Sequence, residues 1–253
     1  MLEKIKEIVL EAGKIVTGAT DISAKTTEKS GAADLVTQYD TAVELFLKEQ
    51  LSAQFPDARF LGEESEQCVD PAKGRVFIID PIDGTTNFVR GISQSAISVA
   101  MAVEGVMECA AVLDPFKNEL FSAVRGEGAF LNGQPIHVSD RPLDKGIFGM
   151  GTAIYNREFD ERTLSVLSSL FRRSCDFRRM GAAALDLCYV AAGRYDAFFE
   201  FSLAPWDFAA GSLIITEAGG KICTMAGKPL PIERCGIWAA NSINFPILQE
   251  LVF

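Results

Sequence analysis

Arg75-Val-Phe-Ile-Ile-Asp80-Pro-Ile-Asp83-Gly-Thr-Thr-Asn87 is the stretch on which the reading of this 253-residue chain turns. Its first half is a short apolar run, rich in β-branched and aromatic residues, that stops in acidic and turn residues, the pattern of a buried strand emerging at a site. Pro81 fixes the backbone after that strand, so Asp80 and Asp83 are expected on a tight turn. Two carboxylates three residues apart repel unless something positive sits between them. Magnesium meets that need, because it takes oxygen ligands and keeps waters for reaction. Gly84 permits close backbone approach, and Thr85-Thr86-Asn87 reads as the first turn of a helix with free N–H groups, a cradle for an anion. Carboxylates beside such a cradle suit a metal-bridged phosphate. The competing reading of a bare D-P-x-D is an Asx-capped turn.

Moving toward the N-terminus, Gly62-Glu63-Glu64 adds two carboxylates, for which a solvated loop is the plain alternative, favoured for Glu64. Ile5, Ile8, Val9, Ala12, Ile15 and Val16 recur at helical spacing, as do Tyr39, Val43, Phe46, Leu47 and Leu51. Between these two amphipathic helices the polar stretch Thr17 to Ala33 reads as a loop. Thr37-Gln-Tyr-Asp40 fits a capping box, a role for Asp40 that local sequence does not separate from a catalytic one.

Toward the C-terminus, the turn signals Glu104-Gly105, Asp114-Pro115, Gly126-Glu-Gly128 and Asn132-Gly133 divide an antiparallel meander. His137 follows in its last strand and carries no assigned chemistry. After about residue 140 helices and strands alternate: helix near 160–171, strand near 176–180, helix near 182–192, strand at 197–200, helix at 207–218 and strand at 236–240. Asp207 is placed to cap the last of these helices. The expectation is an α+β lobe over 1–145, carrying the meander and metal site, and an α/β lobe over 146–253 that completes it, with the ligand between them.

Composition narrows the function. Ordinary apolar and charged fractions specify a folded chain. The 34 acidic and 24 basic side chains leave a net charge of −10, opposite to a nucleic-acid binder's footprint, so nucleic acid is not an expected partner. One histidine removes triad and multi-histidine metal chemistry, which leaves carboxylates to do the work. Six scattered cysteines form no CxxC pair and read as reduced, buried thiols; no signal-like or membrane-length apolar run is present, so a cytoplasmic location is expected.

Together Gly62-Glu-Glu-Ser65, Asp80-Pro-Ile-Asp-Gly-Thr-Thr-Asn-Phe88 and Pro205-Trp-Asp207 ahead of Thr216-Glu-Ala-Gly-Gly220 resemble the inositol monophosphatase family of magnesium-dependent phosphatases. The resemblance extends over nearly the whole chain, through Asp34-Leu-Val-Thr37, Gly126-Glu-Gly-Ala-Phe130 with Asn132-Gly133, and Gly193 before Asp196. It implies a layered αβαβα sandwich, a homodimer, and hydrolysis of a small-molecule phosphate monoester without a covalent intermediate. It matches Glu63, Asp80, the carbonyl of Ile82, Asp83 and Asp207 to positions holding two or three Mg2+ ions. Asp40, Thr85 and Glu63 match the catalytic group, with Asp40 and Thr85 directing the attacking water. Asp83, Gly84, Thr85 and Asp207 match positions around the substrate's phosphate and alcohol; Gly181, Ala182, Ala183 and Glu200 match positions on its alcohol side. Lys29 falls in a loop that closes over the metals. Ala182 stands where the family carries Ser or Thr, and Ile92-Ser-Gln94 lacks the family's proline and aromatic residue. The implied substrate is myo-inositol monophosphate. Fructose 1,6-bisphosphate, a 3′-phosphoadenosine nucleotide and histidinol phosphate are alternatives in the same superfamily, and a macromolecule-binding regulator on this fold is an alternative of another class.

Overall fold

A computed structural model describes residues 1–31, 34–64 and 69–247. Helices α1 (Leu2–Thr17) and α2 (Gln38–Gln54) form where the apolar spacing places them. Between them the chain is not simply a loop: β1 (Thr26–Gly31) pairs antiparallel with β2 (Asp34–Thr37). The residues of β1 are almost all polar, so no alternation marks it.

Seven strands follow and lie side by side in chain order: β3 (Arg59–Gly62), β4 (Arg75–Asp83), β5 (Ala96–Val103), β6 (Val106–Asp114), β7 (Glu119–Val124), β8 (Gly128–Leu131) and β9 (Gln134–Ile136). A short helix, α3 (Thr85–Val89), leaves the end of β4. Only β3 and β4 run parallel; the rest is the expected meander. Asn132 and Gly133 both take positive φ, the geometry that a two-residue hairpin turn demands. His137 lies just beyond β9 and is exposed.

The C-terminal half supplies β10 (Ile147–Met150), α4 (Asp160–Phe171), β11 (Asp176–Arg178), α5 (Ala183–Ala191), β12 (Ala197–Leu203), α6 (Pro205–Glu217), β13 (Lys221–Thr224) and β14 (Cys235–Ala240). Its five strands take the order β11-β10-β12-β14-β13. The helix after Trp206 therefore begins earlier than its apolar run, at Pro205. Asp207 is not its N-cap residue but sits three positions inside, with Oδ2 accepting the N–H of Ala204 at 2.6 Å.

Strand alternation builds the layers. In β5, Ile97, Val99 and Met101 pack with Ile5, Val9, Val43 and Leu47 of α1 and α2, whereas Ala96, Ala100 and Ala102 face α5 and α6. In β12 and β14, Phe198, Ile237 and Ala239 face the same two helices from the other side, while Phe199 and Trp238 pack with Val166 and Leu170 of α4. The order is helix, sheet, helix, sheet, helix: the αβαβα sandwich. The central helices are apolar on every side because both neighbours are sheets. Gly211 lets α6 press on Leu187 of α5, where an added Cβ would lie 2.7 Å from the leucine Cβ. Forcing a methyl group in there would cost roughly 1–3 kcal/mol.

Cys109, Cys188 and Cys223 are buried thiols as expected, but Cys175 is exposed and Cys235 half-buried; Cys68 lies outside the described residues. Among the described residues no helix is long and apolar enough to cross a membrane.

Candidate active site

Residues three apart on a regular strand point to opposite faces. Asp80 and Asp83 escape this because β4 is bulged: Asp80 pairs with Ser98 and Asp83 with Ala96, so three steps on β4 match two on β5. The tight turn read from Pro81 is thus a bulge within a strand that continues to Asp83. Pro81, which has no N–H to give a ladder, sits where the ladder is broken. Both carboxylates then face the central helices. Asp80 Oδ1 accepts the N–H of Ile82 at 3.1 Å, and Asp83 accepts the N–H groups of Ala183 and Ala184 at 3.2 and 2.7 Å, capping α5 from outside.

That cap fastens the wall Gly181-Ala182-Ala183 to the bulge. Asn87 reinforces it, since its amide donates to the carbonyls of Met180 and Gln94, both at 2.8 Å. Gly84, at φ 84°, has no room for a side chain: a Cβ would lie 3.0 Å from the Gly181 carbonyl oxygen and 3.2 Å from the Ala182 Cβ. After it α3 begins. The helix has five residues, too few for a strong dipole, so what it offers is the unpaired N–H groups of its first turn.

Asp40 is fully buried on α2 and divides its carboxylate. Oδ2 accepts the Thr37 N–H at 2.8 Å and the Thr37 hydroxyl at 2.6 Å, the capping role; Oδ1 accepts the Thr85 hydroxyl at 3.2 Å. The same hydroxyl lies 3.0 Å from the Ile82 carbonyl oxygen, and its single proton serves one acceptor at a time. One turn along α2, Glu44 is buried against Gly62, where a Cβ would meet its carboxylate, and accepts the Glu64 N–H at 2.9 Å. Glu44 thereby holds the backbone on both sides of Glu63. Glu64 is half-buried; Ser65 lies outside the described residues, as does the Lys29 side chain.

A cleft of about 520 Å³ is lined by Glu63, Asp80, Ile82, Asp83, Gly84, Thr85, Gly181, Ala182, Ala183, Glu200 and Asp207, every site residue proposed from the sequence except Asp40. Asp40 reaches the cleft only through Thr85. Burial drives Asp83 and Asp207 up to about 7, with neighbouring carboxylates adding to it, and pushes Asp80 well above the ordinary carboxylate range, where Glu63, Asp83 and Asp207 also repel its ionised form. Among the described residues no three side chains close into a finished coordination shell. The carboxylates instead border one space, with Ile82 among the residues that line it. Buried oxygens that repel one another fit a hard divalent cation completed by waters and a substrate oxygen. The residues present therefore suit magnesium.

A family model described as the inositol monophosphatase family matches residues 1–252. The chain belongs to the inositol monophosphatase family. A protein named Nus factor SuhB from Escherichia coli strain K12 is 42% identical over 200 residues, 79% of this chain and 75% of that protein. The crystal structure of extragenic suppressor protein suhB from Bartonella henselae superposes with a TM-score of 0.92 at 34% identity, covering 99% of this chain and 97% of that one. An inositol monophosphatase from Anabaena sp. PCC 7120 gives 0.87 at 32% identity, covering 99% and 94%.

The family departures have local explanations. Ala182 is fully buried at the N-cap of α5 and leaves capping to Asp83. In place of the family's proline, the Gln94 N–H folds back to the Ile92 carbonyl at 2.7 Å, and Lys117 holds the Gln94 side-chain oxygen at 2.8 Å. Sequence reading missed Glu44, Asn87, Arg179, Asp186 and Arg234. The last four line the cleft, and buried Asp186 keeps Oδ1 without a hydrogen-bond partner. An Asp inside the apolar run Ala-Ala-Leu-Asp-Leu-Cys was the available signal for Asp186; Glu44 is marked only by standing four residues after Asp40.

Proposed function

We propose that this chain is a magnesium-dependent phosphatase that hydrolyses a small polyol phosphate monoester, foremost myo-inositol monophosphate, by direct attack of water on phosphorus. The observation that carries this reading is the single cleft in which Glu63, Asp80, Asp83 and Asp207 stand beside the first turn of α3 and Thr85. Those four carboxylates and the Ile82 carbonyl would hold two or three ions. Bound magnesium supplies positive charge that weakens water's hold on its proton and favours negative charge on a departing alcohol oxygen.

The chain's own residues do the rest. The N–H groups opening α3 meet the phosphate oxygens, and Gly84 keeps that approach clear. Were the Ile82 carbonyl to help hold an ion, the Thr85 proton would have Asp40 Oδ1 as its remaining acceptor. Water bonds to phosphorus as its proton passes to Thr85 Oγ1 and the Thr85 proton passes to Asp40; the ester P–O bond breaks with its electron pair on the alcohol oxygen, which takes a proton from solvent water. Burial raises Asp40's affinity for that proton, while the Thr37 and Thr85 hydrogen bonds temper it. On the alcohol side Glu200, driven by burial to about 7, faces the hydroxyls. A carboxylate there accepts hydrogen bonds from a polyol and disfavours a second phosphate. Pairing of two copies and residence in the cytoplasm complete this reading, and sedimentation and cell fractionation measure them.

Phosphate release from a panel of monoesters, with magnesium and with a chelator, tests the proposal. Asp80→Asn should lower turnover by orders of magnitude while the circular dichroism spectrum is kept. Full activity in chelator, or in Asp80→Asn, sinks it. The E. coli relative's name supports a second reading, a regulator that binds another macromolecule. If a strain lacking this protein were rescued equally by wild type and by inactive Asp80→Asn, binding would be its cellular role.

A further inference from the structure

The segment leaving β10 lies against Glu200, and none of its residues figures in the reading of the sequence. The parallel β10–β12 ladder, Gly149 opposite Phe198 and Met150 opposite Phe199, is prolonged by a bond from the Gly151 N–H to the Phe199 carbonyl at 2.9 Å. Register thus puts Gly151 beside Glu200, and the carboxylate rests on the glycine backbone: a Cβ at 151 would overlap all three carboxylate atoms. Two residues on, the Ala153 N–H donates to Glu200 Oε1 at 2.8 Å. Ala153 does so at φ 44°, a left-handed conformation that L-residues other than Gly, Asn and Asp seldom take, while only 3% exposed. Its carbonyl closes the turn by accepting the Asn156 N–H at 2.7 Å. Between them Thr152 receives a hydrogen bond from Arg179 at 3.2 Å, and that guanidinium also packs on Gly181, in the wall that Asp83 caps.

A strained buried residue that aims its amide at a side chain lining a cleft is a device for fixing that side chain. We propose that Gly151, Thr152 and Ala153, tethered by Arg179, are the positioning element that sets Glu200 and with it the enzyme's preference for alcohols bearing hydroxyl groups on the Glu200 side. Oε1 is committed to Ala153, which orients the remaining acceptor capacity of the carboxylate toward the cleft. Gly151 fills the place a side chain would need in order to push that carboxylate aside. The inference rests on the phosphatase reading for its chemistry, though not for its geometry.

A double-mutant cycle with Gly151→Ala and Glu200→Ala tests it, read both as melting temperature and as the ratio of kcat/KM for inositol monophosphate to that for an aryl phosphate, with magnesium throughout. Alone, Gly151→Ala should lower that ratio about tenfold, the scale of a lost charge-assisted hydrogen bond. In Glu200→Ala it should lower the ratio no further and should cost less in melting temperature, because the overlap has gone. Thr152→Ser, which keeps the hydroxyl, should hold the wild-type ratio, and Thr152→Val should not. Equal effects of Gly151→Ala with and without Glu200, in melting temperature or in ratio, overturn the positioning role. If the melting temperatures are coupled but wild type hydrolyses no ester in the panel, the geometry stands, and both the phosphatase reading and the specificity role fall.

Discussion

Asp40 gives one oxygen to Thr37 and the other to Thr85, so the structural and chemical roles of this residue sit on different atoms. An Asn at this position can keep its amide oxygen on the Thr37 side and must then turn its NH2 toward Thr85. A group that accepts the Thr85 proton becomes one that donates. Asp40→Asn is therefore expected to melt within a few degrees of wild type while turnover falls about 10²–10⁴-fold, the range for loss of a proton acceptor. A large drop in melting temperature with normal turnover would make Asp40 a cap and nothing more. The motif Thr37-Gln-Tyr-Asp40 left cap and catalyst as alternatives because a sequence names a residue, whereas the distinction here is between two oxygens. Asp83 was legible as a site residue from its spacing to Asp80. Its grip on Ala183 and Ala184, a hundred residues on, was not.

Two carboxylates of α2 one turn apart act together, Asp40 toward Thr85 and Glu44 toward the backbone around Glu63. Glu44→Gln loses the charge that draws the Glu64 N–H and Lys48, and Glu63 loses its support. The magnesium concentration giving half the thermal stabilisation should rise about 10–100-fold, as for other residues that brace a metal ligand, and the metal-free melting temperature should move little. An unchanged magnesium midpoint rules this role out. Among the elements, α1, α2 and the meander were readable because each carries its own period over many residues. β10 and β13 have four residues each and were not read. The bulge at Pro81 is a property of two strands together, since it exists only as the offset between Asp80–Asp83 and Ser98–Ala96, and one strand's residues cannot announce it.

At the scale of the whole molecule, the site works against the fold that holds it. Asp83 and Asp207 sit at about 7 in the folded chain against an ordinary 3.8, raised by burial first and by their neighbours next. The folded state consequently holds protons that the unfolded state has released, and the stability linked to them is lost as pH climbs from about 4 through about 7. In a chelator the protein should melt several degrees lower at about pH 8 than at about pH 5.5, and saturating magnesium should remove that difference; a chelated protein more stable at the higher pH would contradict it. The layering was legible from the resemblance, whereas the pattern of elements alone read as two lobes; the strand order of the five-stranded sheet was not legible, because β14 enters it between β12 and β13 rather than at an edge. That insertion bears on how the chain is made. Until residues 235–240 are in place, β12 and β13 each lack a partner on the side facing the same gap, although Asp40, Glu63, Asp80, Asp83 and Asp207 all precede that strand in the chain. The strand that closes the gap follows both of its neighbours in the chain, so until it docks the folding chain carries two open sheet edges facing each other, the form in which it is most prone to stick to another copy.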